Sequence, residues 1–184
     1  MTDRKKEITK MVLDCFVKNG LLSTSMKDVA KDVGIQAGAL YYHFKNKEDM
    51  VTQCAELAIR EMSERLVFRA ITYTNDIDHM TELLLQAARE YMPVMRFIVS
   101  VRVSRKYGEN ITAALADFSA RYDSYAVRFA EKLGCDVELI KPIVYMLIVS
   151  TVNYMIFGES SLFIRQLAPI QRELKKIVSE GKES

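Results

Sequence analysis

The sequence predicts an all-α protein built from about nine helices. Apolar residues recur at helical spacing along nearly the whole chain, and no segment alternates apolar and polar residues between turn signals as a strand does. The seven Gly and three Pro fall mostly where helices would begin or end. With 184 residues, 49% hydrophobic and 27% charged, the chain has the composition of a globular protein with a sizeable core.

A long helix and a short helix begin the chain. The first helix is predicted over residues 3–19 and ends at Gly20, since glycine suits the residue that closes a helix. Ser25 and Asp28 have the spacing of a capping box, which predicts the start of the short second helix. Gly34 then supplies a tight turn.

A third and a fourth helix follow this turn. The third is predicted over about residues 36–44, and Asn46 caps the fourth, with Asp49 at the second position of a capping box. The fourth helix continues to about Arg69. Two short helices joined by a tight glycine turn, after a longer helix that braces them, are typical of a helix-turn-helix motif.

Five further helices are predicted beyond the fourth. Their ranges are 78–91, 93–107, 110–133, 137–157 and 161–179. Pro93 is placed at the start of a helix because proline suits the first turn, and Pro169 is expected to kink or divide the last helix. Residues 143–157 carry no charge, but they are fewer than the roughly twenty that a bilayer span needs. A buried helix is therefore predicted, with no membrane partner.

The third helix has the composition of a surface that meets double-stranded DNA. A helix that enters a major groove, about 12 Å wide, cannot present large apolar side chains there, and small residues allow a close approach. Gln36 can donate to and accept from a base edge, usually adenine, while nearby hydroxyls and cations suit phosphates. The predicted DNA-binding residues are Thr24, Ser25, Lys27, Gln36, Ala37, Gly38, Ala39, Tyr41, Tyr42, His43 and Lys47.

The charge distribution agrees with this interpretation. Residues 1–47 contain nine Lys or Arg against five Asp or Glu, a net charge of +4, so the rest of the chain sums to −2 within the total of +2. A basic surface favours phosphate, although an ordinary solvated surface can show the same imbalance.

Two sequence runs carry a family resemblance. They are GLLSTSMKDVA over residues 20–30 and GIQAGALYYHFKNKEDM over residues 34–50, in which the turn glycine, the LYYHF segment and the KNKE segment fall in register without gaps. The runs resemble the TetR/AcrR family of bacterial repressors, over about residues 4–60. Where that family usually has a small hydroxyl residue that caps the third helix, this sequence has Gln36.

The resemblance implies a domain organisation and a function. It implies a helix-turn-helix DNA-binding domain over residues 1–47, a connecting helix over 48–69, and a helical ligand-binding and dimerisation domain over 70–184. A protein of this family would bind a palindromic operator as a homodimer and leave it when a small-molecule effector binds. A helical ligand-binding or scaffolding protein without DNA binding remains the alternative.

The helix predicted over residues 137–157 is apolar on both faces. Such a helix must be buried on all sides, which a lone subunit of this size would struggle to achieve. This helix and the one over 161–179 are therefore expected to pack against their copies as a four-helix dimer interface. The alternative is a central core helix in a monomer.

The C-terminal part is rich in Tyr, Phe and Met, which line apolar ligand sites and equally fill cores. Arg102 interrupts an apolar run over residues 97–103, so it suits either an anionic or polar ligand group or a surface ion pair. The candidate pocket residues for an effector are Tyr91, Met95, Arg102, Tyr122, Tyr125, Phe129, Tyr145 and Met146.

Catalytic and metal-binding patterns find little support. The two histidines, His43 and His79, have no metal-ligand spacing to each other or to a cysteine, so neither a metal nor another cofactor is predicted. The three cysteines are odd in number, far apart and set among apolar residues, which favours free buried thiols in the cytoplasm.

Overall fold

The computed structural model describes residues 3–72, 76–160 and 163–181, and these segments confirm the all-α prediction. No strand occurs within them. Short 3₁₀ helices at Gly108–Ile111 and Gly158–Ser160 accompany the α-helices. In the described ranges the α-helices are α1 Asp3–Asn19, α2 Met26–Val33, α3 Ala37–His43, α4 Lys47–Thr72, α5 Ile77–Arg102, α6 Thr112–Ala120, α7 Tyr122–Leu133, α8 Val137–Phe157 and α9 Phe163–Gly181.

The chain forms two compact units. The first unit comprises Met1–Glu61 and Pro93–Ala116, and the second comprises Met62–Met92 and Asp117–Ser184. The domain ranges predicted from sequence were continuous, whereas each unit is built from two separate stretches of chain. No local pattern signals that residues 93–116 return to the unit that holds the N-terminal helices.

The core of the first unit braces α3. Val12 and Phe16 on α1 are buried, and the Phe16 ring stacks on Phe97 with 5.8 Å between ring centroids. Leu40 and Phe44, at the inner side and the end of α3, are completely buried. Burying a side chain of this size contributes about 1.5–3 kcal/mol relative to leaving it exposed, so these two residues hold α3 firmly by one side.

The core of the second unit centres on α8, which packs against α7 and α9. Ile140, Val144, Leu147 and Met155 are buried along one side of α8. Phe163 at the start of α9 is also buried, and its ring lies 5.5 Å from that of Tyr154. The interior of this unit is thus largely apolar and aromatic.

The division of the chain into helices differs from the predicted one at two places. Pro93 lies inside the continuous helix α5 instead of starting a new one. Proline takes a helical φ, so the helix loses only one hydrogen bond at this point. Buried residues before and after the proline, such as Ala88 and Met95, keep both parts of the helix in place. Conversely, the helix predicted over 110–133 is divided at Arg121. The backbone N–H of Arg121 donates to the carbonyl oxygen of Phe118, three residues earlier, as in a 3₁₀ turn.

The last helix is described from Phe163 onwards, so its predicted start at Ser161 lies outside the described residues. Pro169 lies within α9 without dividing it. By length and composition alone, α8 would be able to cross a membrane, and 39% of its most apolar window is buried inside the protein. A core helix of a soluble protein meets the same criterion, so this is weak evidence for a membrane.

Candidate nucleic-acid interface

Both ends of α2 are fixed by local structure. The capping box predicted at Ser25 is present: Asp28 N donates to Ser25 Oγ at 3.3 Å, and Ser25 N donates to Asp28 Oδ2 at 2.8 Å. The hydrogen bonds from the side chain and backbone of Ser25 lower the pKa of the Asp28 carboxyl. Gly34 then takes φ 72°, a left-handed conformation that glycine adopts without strain, and α3 begins three residues later.

The outer side of α3 is exposed and made of small and polar residues. Gln36 is the N-cap residue, but its side chain makes no capping hydrogen bond, so its amide stays available on the surface. Ala37, Gly38 and Ala39 are exposed, and a Cβ atom added at Gly38 would meet nothing within 4 Å. This arrangement leaves room for another molecule to approach the helix backbone closely.

Aromatic side chains continue the same surface toward the end of α3. Tyr41 and Tyr42 are 56% and 87% exposed. The half-buried His43 ring lies edge-on to the Tyr42 ring, with 5.2 Å between centroids. Exposed aromatic residues with polar ends suit contacts with sugar and phosphate.

Thr24 departs from its predicted role. Its side chain is only 2% exposed, and its hydroxyl donates to the carbonyl oxygen of Gly20 at 2.7 Å. The hydroxyl therefore stabilises the turn after α1 instead of pointing outward to a phosphate. Ser25, its neighbour, is exposed at the start of α2.

Lys47, a predicted phosphate ligand, already has a partner within the protein. Its ammonium donates to the carbonyl oxygen of Leu21 at 2.9 Å and so ties the first turn of α4 to the turn between α1 and α2. Desolvation lowers the pKa of Lys47, nearby Lys106 lowers it further, and Asp28 opposes the shift. The sequence placed Lys47 correctly at a helix start, but the direction of a long side chain depends on tertiary contacts.

The start of α4 is capped as predicted. Asp49 N donates to Asn46 Oδ1 at 2.8 Å, and Lys45 N donates to Asp49 Oδ2 at 2.8 Å. These bonds fix the backbone at Lys45 and leave its side chain exposed, as is that of Lys27 on α2. Two exposed cations thus flank α3 along the chain.

A second basic segment of the first unit was not found from the sequence. The side-chain amide of Asn110 donates to Glu48 Oε1 at 3.1 Å and to Thr52 Oγ1 at 3.3 Å, which attaches the segment after α5 to the first turns of α4. Arg105 and Lys106 are exposed on this segment. The only signal in the sequence is the density of cations there, because the contact joins residues about sixty positions apart.

The second unit contains an apolar cavity of about 60 Å³. Of the eight candidate pocket residues, Tyr125 and Phe129 line it. The lining comprises Ser63, Leu66, Leu84, Phe118, Tyr125, Phe129, Val144, Leu147, Ile148, Thr151, Val152 and Met155. Most of these residues come from α7 and α8, and the sequence signalled them only as apolar helix faces.

Two of the other candidate pocket residues belong to the first unit. Met95 is a buried core residue. Arg102 is exposed and pairs with Glu109 at 3.7 Å, so the structure favours the surface ion pair over the ligand contact. The chain returns very close to the end of α5 here, since a Cβ atom at Gly108 would lie 2.3 Å from the Arg102 carbonyl oxygen.

Four other candidates lie in the second unit but outside the cavity lining. Tyr122 packs edge-on against Phe118, and the Tyr145 hydroxyl donates to Asp123. Tyr91 is half-buried, and Met146 is 44% exposed on α8.

Metal and thiol chemistry have little basis in the described residues. Within those residues no group of three or more His, Cys, Asp or Glu side chains is placed to hold a metal ion. Cys15 and Cys54 are buried free thiols, whereas Cys135 is half-buried. Burial raises the pKa of Cys54 well above its usual value, which keeps this thiol protonated and unreactive.

Comparisons with known proteins identify the N-terminal segment. Residues 9–54 match the family described as bacterial regulatory proteins, tetR family. The repressor KstR2 of Mycolicibacterium smegmatis is 30% identical over 82 residues, 45% of this chain and 40% of the relative. The regulator AcrR of Shigella flexneri is 30% identical over 84 residues, 45% of this chain and 39% of the relative. The matched segments thus span about two fifths of these relatives.

The fold is similar along nearly the whole chain. A transcriptional regulator from Aquifex aeolicus superposes with a TM-score of 0.60 at 17% identity, over 94% of this chain and 98% of that one. At this identity the likeness concerns the fold alone.

The fold and the motif define a helix-turn-helix segment, and over residues 9–54 this segment matches the tetR family of bacterial regulatory proteins. KstR2 and AcrR are both named as regulators of transcription of the helix-turn-helix type.

Proposed function

We propose that the protein is a cytoplasmic repressor that binds a palindromic operator as a homodimer and leaves it when a small molecule binds. The outer side of α3 is the observation that carries this proposal. Gln36 has no capping bond and Gly38 faces open space, on a helix held from behind by Leu40 and Phe44. A short helix presented in this way fits a major groove.

The proposed contacts with DNA divide into two kinds. Gln36 and the three small residues after it, at positions 37–39, face base edges, because they begin the helix and are exposed. The flanking polar and basic residues contact phosphate and sugar. These are Ser25, Lys27, Tyr41, Tyr42, His43 and Lys45. In this proposal Thr24 and Lys47 hold the motif together without touching DNA.

The proposed dimer uses the exposed side of α8. Leu139, Met146, Val149 and Phe157 are exposed by 44–60%. At 100° per residue they fall within roughly 80° of the helix circumference, opposite the buried side. An apolar stripe of this kind marks an interaction surface, and a second copy related by two-fold symmetry would cover it with the same stripe. Ile164, 40% exposed on α9, would join this interface.

The proposed response to an effector depends on α4. Ser63 and Leu66, in the later part of this helix, line the apolar cavity, whereas Lys47 in its first turn is bonded to the turn after α1. A ligand that shifts α4 would therefore move the helix-turn-helix motif. The two half-sites of an operator lie about 34 Å apart, so a small change in the spacing of paired α3 helices costs affinity.

We expect Lys47→Met and Lys45→Met to have different consequences. Lys47→Met removes the bond to Leu21 and should lower the free energy of unfolding by about 1–2 kcal/mol, because a carbonyl oxygen loses a charged donor. Lys45→Met should change stability by less than about 0.5 kcal/mol, since its side chain is exposed. It should instead weaken DNA binding. The slope of log affinity against log salt concentration should fall by about one, as expected for the loss of one phosphate contact.

Urea unfolding and DNA titrations at several salt concentrations measure both effects. Equal stability of the two variants would contradict the structural role of Lys47. An unchanged salt slope for Lys45→Met would contradict its contact with phosphate.

Selection from a pool of random duplexes tests the function itself. The purified chain should enrich an inverted repeat, because a two-fold dimer presents two copies of α3. A repeat of the selection with added cell metabolites should weaken the enrichment. If no sequence is enriched above non-specific binding at physiological salt, the repressor proposal is wrong and the chain is better described as a helical ligand-binding protein.

A further inference from the structure

The described residues that line the cavity of the second unit carry no charge. There is no Asp, Glu, Lys, Arg or His among them. A charged ligand here would lose its hydration without gaining a partner, which costs several kcal/mol. The chemistry of the wall therefore favours an uncharged and largely apolar ligand.

Three residues of the lining have polar side-chain atoms, and two of these already have partners. Thr151 Oγ1 donates to the carbonyl oxygen of Leu147 at 2.7 Å, and Ser63 also has a hydrogen-bonding or electrostatic partner. The hydroxyl of Tyr125 is different, since it is buried and finds no hydrogen-bond partner among the described residues. Tyr125 as a whole is 6% exposed, so bulk water does not satisfy it.

An unpartnered hydroxyl in an apolar interior is costly, and buried polar groups in proteins are nearly always hydrogen-bonded. Tyr125 lies on α7 with its side chain in the cavity wall. The oxygen is itself covered, so the side chain must turn about its Cα–Cβ bond to present it to a bound molecule. A ligand oxygen at that position would remove the penalty.

We propose that the cavity binds an uncharged, largely apolar molecule with one hydrogen-bond-accepting oxygen, and that the Tyr125 hydroxyl donates to this oxygen. The inference rests on the proposed role of the cavity as the effector site. Its volume of about 60 Å³ is several times that needed for one water, roughly 10–15 Å³, and smaller than the roughly 150 Å³ of an apolar cavity that binds benzene, so a ring-sized ligand requires the wall to expand. Tyr125 thus sets ligand specificity, while the apolar wall supplies most of the affinity.

Acetophenone and ethylbenzene are suitable probes because they have nearly the same shape and differ in the carbonyl oxygen. Each is titrated into the full chain without DNA, and binding is followed by ligand-observed NMR. The natural sequence should bind acetophenone about tenfold more tightly than ethylbenzene, the gain expected from one buried hydrogen bond. Benzoate, a charged compound of similar size, should bind more weakly than either.

Tyr125→Phe should bind the two neutral probes equally, because it removes the donor and keeps the ring. Tyr122→Phe is the matched control, since Tyr122 lies on the same helix but outside the cavity lining and should leave the preference unchanged. Thermal unfolding checks that both variants fold. Tyr125→Phe should be at least as stable as the natural sequence, because the hydroxyl that it removes has no described partner.

Several results would overturn the assignment: no preference for acetophenone, a preference that persists in Tyr125→Phe, tighter binding of benzoate, or binding of neither neutral probe. These measurements contain no DNA, so such a failure leaves operator binding untouched. Conversely, a failed duplex selection together with a Tyr125-dependent preference would remove the repressor function and keep the site.

Discussion

Gly38→Leu should abolish sequence-specific DNA binding without loss of the fold. A Cβ atom at this position meets nothing within the protein, so the leucine side chain would extend into the space that the proposal gives to DNA. Base contacts contribute about 1–3 kcal/mol each, and the displacement of several of them should weaken specific binding by about 100-fold or more. Fluorescence anisotropy with the selected duplex measures this loss.

Stability separates this steric effect from unfolding. Leucine is better than glycine within a helix by about 0.8–1 kcal/mol, so the variant should melt at the same or a higher temperature. Ala113→Leu, an exposed position on α6, is a matched control and should bind DNA normally. A folded Gly38→Leu protein with full affinity for the operator would show that α3 does not enter the groove.

Val149→Asp should convert the proposed dimer to monomers and weaken operator binding by about 100-fold or more. Val149 is 59% exposed in the middle of the α8 stripe, so an aspartate causes little strain in a lone subunit. In a two-fold interface the substitution buries two unpartnered carboxylates, each at a cost of several kcal/mol. Sedimentation equilibrium measures the mass, and anisotropy measures the affinity.

Val127→Asp provides the comparison for this variant. Val127 is 44% exposed on α7, outside the proposed interface, and the same change there should leave both mass and affinity unaltered. A Val149→Asp protein that remains dimeric and binds DNA normally would place the interface on another surface. The exposed stripe would then need a different partner.

Local capping signals account for the parts of the fold that the sequence predicted well. The bounds of α1 and α8 agree with prediction, and Gly20 and Gly158 both take positive φ where these helices end. The capping box at Ser25 fixes the start of α2 in the same way. Such signals act within four residues, so they can be recognised without any knowledge of tertiary structure.

Features that depend on distant contacts could not be predicted. Pro93 would begin a helix on local rules, but the surrounding core keeps α5 continuous through it. The side chains of Thr24 and Lys47 turn toward carbonyl oxygens of the turn after α1, whereas composition suggested that they face phosphate. Of the aromatic residues proposed for the pocket, sequence alone gave no means to separate Tyr125 and Phe129 from those outside the lining.

The apolar character of α8 could be predicted from the sequence, but the partner of its exposed face could not. The sequence showed that both faces are apolar, and the structure shows that one face is buried while Leu139, Val149 and Phe157 are exposed on the other. Periodicity identifies such a helix, but it does not distinguish packing within a subunit from packing between subunits. The dimer therefore remains a proposal supported by the exposed stripe.

The central claim is that two copies of α3 enter one duplex together. Its most direct measurement is a hydroxyl-radical footprint of the complex with the selected duplex, combined with the mass of that complex by sedimentation. We predict two protomers per duplex and two protected regions centred about 34 Å apart, or a multiple of this spacing, on one face of the DNA. A single protomer per duplex, or protected regions on opposite faces, would contradict the account.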